Sequence, residues 1–199
     1  SLENGRVYTF EAIGIDWETM EATPMFGKFP YDRFGSAVDM TKDGLRFIVG
    51  APGREPSGAY FQIYEWNGSA WVLAFEEQGS SGDALGSSVA VLTDSGDVFA
   101  IGAPGYKGGD GKVVIYQRRS GLQRAATDYV ELGQPILGGR GDFIGRSGAV
   151  TGGVDKEEGL LLIVGAASGD VRTYGYDPSS GSWDLRIETL STDANLLVI

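Results

Sequence analysis

The chain reads FIVGAPG at residues 47–53, FAIGAPG at 99–105 and LIVGAAS at 162–168. Each is a short apolar run that closes on a glycine-rich turn. A phosphate-binding loop also begins this way, but it continues with Gly-Lys-Ser/Thr and opens a helix. GAPGRE at 50–55 and GAPGYK at 102–107 lack that continuation, and no helical pattern follows them. Nucleotide binding is therefore set aside. One run in three copies, the third worn, marks an internal repeat.

The repeat extends on both sides of the run. Upstream stand Asp32-Arg33-Phe34-Gly35, Asp83-Ala84-Leu85-Gly86 and Asp142-Phe143-Ile144-Gly145, each followed by small residues leading into a strand. A polar turn then ends at Gly44, Asp97 and Gly159. Downstream, a glycine opens another strand: GAYFQIYEW from Gly58, GKVVIYQ from Gly111 and GDVRTYGY from Gly169. A fourth segment of this type, GRVYTFE from Gly5, opens the chain. Phe10, Tyr64, Tyr116 and Tyr174 occupy matching places in these strands. Trp17, Trp71 and Trp183 follow across hairpins, and Leu122 stands near that place in the second copy. Matched aromatics in successive units predict core between sheets.

Each unit is thus expected to be four short antiparallel strands over roughly 50–60 residues, one blade of a β-propeller. The fold class is all-β, with three complete blades and a partial one. The expected division is a partial blade over 1–28, blades over 29–80, 81–138 and 139–190, and a partial strand over 191–199. Glycines suit crowded inner strands, and Ala-Pro ends a strand because proline cannot donate to a ladder.

Composition narrows the chemistry. The chain has 199 residues, 32 glycines, no cysteine and no histidine. Disulfides, zinc sites of the usual kind and histidine-assisted nucleophiles are excluded. Formal net charge is −11, an acidic surface that argues against a nucleic-acid partner. No stretch approaches the ~18 apolar residues of a membrane helix, so no membrane insertion is expected.

With these residues in hand, RFGSAV…DGLRFIVGAPG and ALGSSVAV…SGDVFAIGAPG resemble FG-GAP repeats, the blades of integrin α-subunit propellers. The resemblance covers nearly the whole chain, and the third copy, with FIGRSGAV and IVGAAS, is degenerate. It implies an extracellular or cell-surface propeller that binds proteins or glycans. Family propellers usually have seven blades. The simplest expectation is therefore a fragment of a longer chain, since NLLVI at 195–199 follows no Phe-Gly motif. A four-bladed ring closed by the chain ends, or two chains sharing a seven-bladed ring, are alternatives.

Many blades of that family carry a calcium loop with carboxylates at positions 1, 3, 5 and 9. Here Asp39, Thr41 and Asp43 match the first three, but Phe47 stands at the ninth. Val91, Thr93 and Ser95 offer no cage, and Asp155, Glu157 and Glu158 have another spacing. Calcium needs a fuller set of oxygens, so no metal site and no cofactor is assigned.

Other candidates have bland readings beside sharp ones. Arg140-Gly141-Asp142 spells the tripeptide that integrins recognise, yet Asp142 is also the repeat's own Asp. Asn67-Gly68-Ser69 is a glycosylation sequon and an Asn-Gly hairpin turn. Glu76-Glu77 and Glu157-Glu158 read as exposed solubilising charge, since strand neighbours face opposite ways. Arg118, Arg119 and Arg124 form a small basic spot beside residues 125–139, a long connection of the kind that often carries binding. The repeats supply no convergent set of titratable groups at matching positions, so the chain is expected not to be an enzyme. The function expected is recognition or structural assembly, cell adhesion included, through loops or blade edges. A lectin-like propeller is the alternative, and an accessory domain of a secreted enzyme a more distant one.

Overall fold

The structure, a computed structural model, describes residues 4–20, 24–53, 58–119, 129–146, 150–155 and 159–189. Every regular element in them is a strand apart from one 3-10 turn at Tyr106–Gly108. The segment 195–199, Leu122, Arg124, Glu157 and Glu158 lie outside the described residues.

The chain opens with β1 (Arg6–Val7), β2 (Phe10–Ile13), β3 (Asp16–Thr19) and β4 (Met25–Phe26), in which β1 pairs β4 and β2 pairs β3. A first sheet follows in the order β5 (Ala37–Met40), β6 (Arg46–Ala51), β7 (Tyr60–Trp66), β8 (Trp71–Gln78). The second contains β9 (Ser88–Val91), β10 (Val98–Ala103) and β11 (Lys112–Arg118). Its outer strand is broken into β12 (Tyr129–Glu131) and β13 (Ile136–Leu137), both paired to β11. The third runs β14 (Val150–Asp155), β15 (Gly159–Gly165), β16 (Val171–Asp177), β17 (Ser182–Thr189). All these ladders are antiparallel, as short consecutive strands with tight turns require.

The broken strand revises the expectation for 125–139. From residue 129 that segment is sheet, and Leu132 and Ile136 are core. The Asn67 turn also shifts by one residue. Asn67 N–H donates to Ala70 O, so Gly68 and Ser69 are the central pair, and Gly68 supplies φ +99. Glycine at the first central position is what a type II′ hairpin asks for.

The sheets stack in series, and their inner strands adjoin: β5 and β14 both lie beside β9. The Asp39 carboxylate accepts a hydrogen bond from Val91 N–H at 2.8 Å, tying β5 to β9. One apolar cluster fills each junction. Ile48, Phe61, Ile63 and Phe75 of the first sheet meet Phe99, Ile101, Val114, Tyr116 and Tyr129 of the second. Ala100, Val113, Ile115 and Leu132 of the second meet Leu162, Val164 and Trp183 of the third.

Glycines set the closeness of these junctions. A Cβ on Gly86, which has φ +86, would lie 2.7 Å from Tyr60 O and 3.0 Å from the Gly50 Cα. A Cβ on Gly145 would likewise lie 2.7 Å from the Gly102 Cα. The glycines of the second and third Phe-Gly-type motifs therefore rest on the glycine of the Gly-Ala-Pro turn one unit earlier. That is the physical content of the repeat: two motifs far apart in sequence need the same missing side chain.

Candidate functional site

Register places a fourth unit at the start of the chain. Gly5 bridges Phe34 in parallel just as Gly111 bridges Ile144. So β1 and β2 correspond to β11, and β3 and β4 correspond to the two halves of its outer strand. Among the described residues this unit shows its outer strands alone. On its inner side β11 pairs β10, whereas β2 pairs only β3 among the described residues.

Beside that open edge lies a groove of about 650 Å³, flanked by Phe10 and Trp17 on one side and Val38, Met40 and Phe47 on the other. Val38 and Met40 are 56% and 45% exposed. Their counterparts in the second sheet, Val89 and Val91, pack on the cluster between sheets. The groove is thus where an inner strand sits in every complete unit.

A second pattern runs across the junctions. Trp71, Tyr129 and Trp183 stand opposite Trp66, Arg118 and Tyr176, one register position shared by three sheets. Tyr129, not Leu122, fills the aromatic place in the second unit. Each of the three hydrogen-bonds to the unit before it. Trp71 Nε1 donates to Thr9 Oγ1 at 3.1 Å, Tyr129 Oη to Glu65 Oε1 at 3.3 Å, and Trp183 Nε1 to Leu132 O at 2.8 Å. Trp17, opposite Ala12, holds the same register position. It is 71% exposed, and its indole N–H makes no bond among the described residues. Tyr8 and Phe10, stacked at 6.4 Å, are exposed beside it.

The other end of the series is open too. Ile163, Val171 and Ile187 are 41%, 44% and 60% exposed. By register they match Ile48, Phe61 and Phe75, which are buried under the second sheet.

The remaining candidates fall into place around this frame. Asp142 accepts from Gly139 N–H and Arg172 Nη1, both at 2.8 Å, and these partners hold its carboxyl below the usual carboxylate range. The acid of Arg140-Gly141-Asp142 is thus engaged inside its own unit. Asp32 and Asp83 are held in the same way, by Tyr60 Oη at 2.6 Å and by Lys112 Nζ at 3.2 Å. Asp39 caps Val91, while Asp43 accepts from Thr41 Oγ1 and Leu45 N–H, so the partial calcium-type set serves the backbone. Among the described residues no three acidic groups converge on one point. Glu76 and Glu77 do face opposite ways, but neither is idle. Glu76 binds Lys28 and Gln62, and burial next to Glu131 raises the Glu77 carboxyl. Arg118 joins Arg46 and Tyr129 around the buried Glu65, so the basic spot is part of a junction. Arg119 is exposed.

No family model matches the chain, and no curated protein matches it. Solved structures do. A putative 6-phosphogluconolactonase from Bacteroides uniformis superposes with TM-score 0.59 at 12% identity, covering 95% of this chain and 50% of that one. The periplasmic gluconolactonase of Pseudomonas aeruginosa gives 0.52 at 14% identity, covering 91% and 48%. The Aleuria aurantia lectin with α-methyl-L-fucoside gives 0.46 at 11% identity, covering 98% and 56%. The chain spans about half the length of these structures. The likeness shows an all-β, propeller-like fold.

One expectation is corrected by these findings. The expectation is that the chain is not an enzyme, because its repeats supply no convergent set of titratable groups. Two of the similar structures are named as lactonases, so this fold carries enzymes. The reason is physical: a site on a repeat scaffold is assembled from residues that differ between units, so absence of repetition does not exclude catalysis. Among the described residues no helix is long and apolar enough to cross a membrane.

Proposed function

We propose that this chain is an FG-GAP-type propeller segment that works in recognition and assembly by accepting an extended strand from a protein partner. One observation carries the reading. The open edge of β2 and the groove beside it occupy the place that a ladder-paired inner strand fills in the complete units. Strand addition to an exposed sheet edge draws affinity from main-chain hydrogen bonds and specificity from alternate side chains. The apolar wall of Val38, Met40 and Phe47 asks for alternate apolar residues in the guest. The setting we propose is extracellular or at the cell surface, in keeping with the resemblance and the acidic surface.

The test is a titration with a peptide of sequence DVFAIGA, copied from residues 97–103, followed by tryptophan emission. Trp17 lies at the groove, so a saturable blue shift is expected, weakened at least about tenfold by Val38→Asp. No saturable change would overturn the reading. A second reading rests on the exposed rings of Tyr8, Phe10 and Trp17, which suit a glycan. Saturation by oligosaccharides instead of the peptide would favour it.

A further inference from the structure

We infer that the end of the molecule carrying the repeated aspartates binds an acidic polysaccharide, at a site centred between the second and third sheets. This site lies apart from the β2 edge, so it stands whether or not a strand docks there. Topology sorts the connections of an antiparallel unit into two ends. The loop before each first strand and the turn after each second strand share one end. Backbone bonds join them there: Gly53 N–H donates to Asp32 O, Gly105 N–H to Asp83 O and Ala167 N–H to Asp142 O.

Charge divides between the two ends. At this one, Asp32, Asp83 and Asp142 turn inward to Tyr60, Lys112 and Arg172, and Asp170 shares Arg172 at 3.7 Å. Arg33, Lys107 and Arg140 are exposed there and make no ion pair among the described residues. Asp110, half-buried, is the acid that stands against them. At the opposite end Lys42, Arg46 and Arg118 each meet a carboxylate, which leaves Arg119. Uncommitted positive charge in a chain of net charge −11 is thus gathered mainly at one end.

The backbone marks the same residues. Tyr31, Arg33, Lys107 and Phe143 have φ +66, +57, +51 and +47, angles that glycine adopts without strain. The turns do not need the large side chains. Ala84 stands where Arg33 and Phe143 do, and Gly82 and Gly141 stand where Tyr31 does. Left-handed residues of this kind cluster at ligand clamps. Phe143 N–H donates to Gly109 O at 2.9 Å, and its ring lies over Gly109, where an added Cβ would be 2.6 Å away. Tyr106, Lys107, Arg140 and Phe143 are therefore gathered at one junction, with Lys107 Nζ 5.4 Å from the Tyr106 ring centroid. The sheets on both sides of this junction belong to the described chain and pack on each other, so further units at either end of the series do not fill it. Tyr31 and Arg33 repeat the pairing of ring and cation on the first unit. An acidic sugar polymer offers both complements. Its sugar faces stack on the rings, and its sulfates or carboxylates take the guanidinium groups in bidentate fashion.

Fluorescence anisotropy of labelled dextran sulfate, titrated with the 199-residue chain, reads the result. Saturable binding is expected, weakening as salt rises, with none to uncharged dextran. Lys107→Ala and Arg140→Ala each weaken it about three- to tenfold. Phe143→Ala, a change that Ala84 shows the turn accepts, weakens it about threefold and keeps the salt dependence, because it removes a ring and no charge. Lys42→Ala, at the opposite end, leaves binding unchanged. Absence of saturable binding overturns the inference. So does a Lys42→Ala loss as large as that of Lys107→Ala, since the charge would then act without a site. Uncharged dextran binding as tightly as the sulfate overturns the role of the cations. Poly-L-glutamate binding as tightly as dextran sulfate overturns the sugar partner in favour of an acidic peptide.

Discussion

Two aromatic pairs of this molecule have the same chemistry and opposite surroundings. On the first sheet, Tyr64 stacks on Phe47 at 5.1 Å and Trp71 meets the same ring edge-on at 4.6 Å. On the opening hairpin, Phe10 and Trp17 hold the matching register positions and are 51% and 71% exposed. Phe47 comes from an inner strand, β6, and among the described residues the hairpin has no such strand beside it. The difference teaches what makes a unit. The outer pair of strands carries the aromatic side chains. The inner pair gives them something to rest on, and the preceding unit takes up the polar tips of Trp71, Tyr129 and Trp183. A sheet with one face uncovered is folded but unfinished, and large apolar patches left open mark surfaces of interaction.

Removing the rings breaks the comparison most directly. Trp71→Ala deletes a buried ring together with its bond to Thr9, and about 4 kcal/mol of stability should be lost. Trp17→Ala should cost less than about 0.5 kcal/mol in the monomeric protein, as exposed positions usually do. Urea melts of both variants, in which stability falls linearly with denaturant, provide the measurement. Equal losses would mean that the two pairs are not in different surroundings after all.

The glycines give the next largest contrast. Gly86 and Gly35 share a positive φ, +86 and +89. Alanine at either pays the left-handed strain, about 1–2 kcal/mol. A Cβ on Gly86 would lie 2.7 Å from backbone of the unit before it, whereas a Cβ on Gly35 would meet the Arg6 carbonyl oxygen, also backbone of the unit before, and the Val7 Cγ2 at 3.1 Å. Gly86→Ala should therefore lose about 3 kcal/mol or more, since backbone cannot move aside as a side chain does. Gly35→Ala should lose about half as much, because its looser contacts are relieved by a much smaller shift.

Titration supplies smaller effects with a definite sign. Burial, then the charges of Glu77 and Glu131, raise the Tyr116 hydroxyl well above its ordinary 10.0. The neutral form is thus favoured in the fold. The contribution of Tyr116 is complete below about pH 10 and is lost as pH rises through the folded value. Tyr116→Phe should flatten the alkaline limb of the stability curve. Asp142 runs the other way. The Gly139 N–H, then Arg172, lower its carboxyl from 3.8, so its contribution is present above that value and is lost as pH falls through the folded one. Asp142→Asn should remove that part of the acid limb. A variant that keeps the wild-type slope in its limb would show that the named contacts do not set it.

Much of this was readable before any coordinates. Strands, turns and the repeat follow from β-rich runs punctuated by glycine, and Gly5 pointed to the incomplete unit. What stayed hidden is non-local. Tyr129 could not be matched to Trp71 and Trp183, because Gly133, Gln134 and Pro135 break the strand that carries the pattern onward to Ile136. The loose spacing made 125–139 look like a loop. The bonds from each aromatic to the unit before it leave no trace in spacing, since the acceptors are a threonine, a glutamate and a backbone carbonyl. Nor does a glycine announce which other glycine it touches, 36 residues away for Gly50 and Gly86.

The residue after each repeated Asp is the subtlest case. Arg33, Ala84 and Phe143 all have positive φ, +57, +54 and +47, and none is a glycine. The turn is evidently set by its neighbours. Asp32 shows how: its carboxylate accepts from Phe29 N–H and Phe34 N–H, on either side of Arg33, while the next glycine bends toward the adjoining unit. A left-handed residue held between such constraints is strained in every copy. Ala84→Gly releases that strain but gives the unfolded chain more freedom, and the two effects oppose each other. The left-handed cost is the larger, so the variant should gain about 0.5 kcal/mol. Alanine is the clean probe here, since Arg33 and Phe143 lose a large side chain when changed to glycine and the backbone term is mixed with packing. A loss at position 84 would mean that the methyl group itself is held in contact, and that the turn is shaped by packing instead of by the Asp and the glycine that frame it.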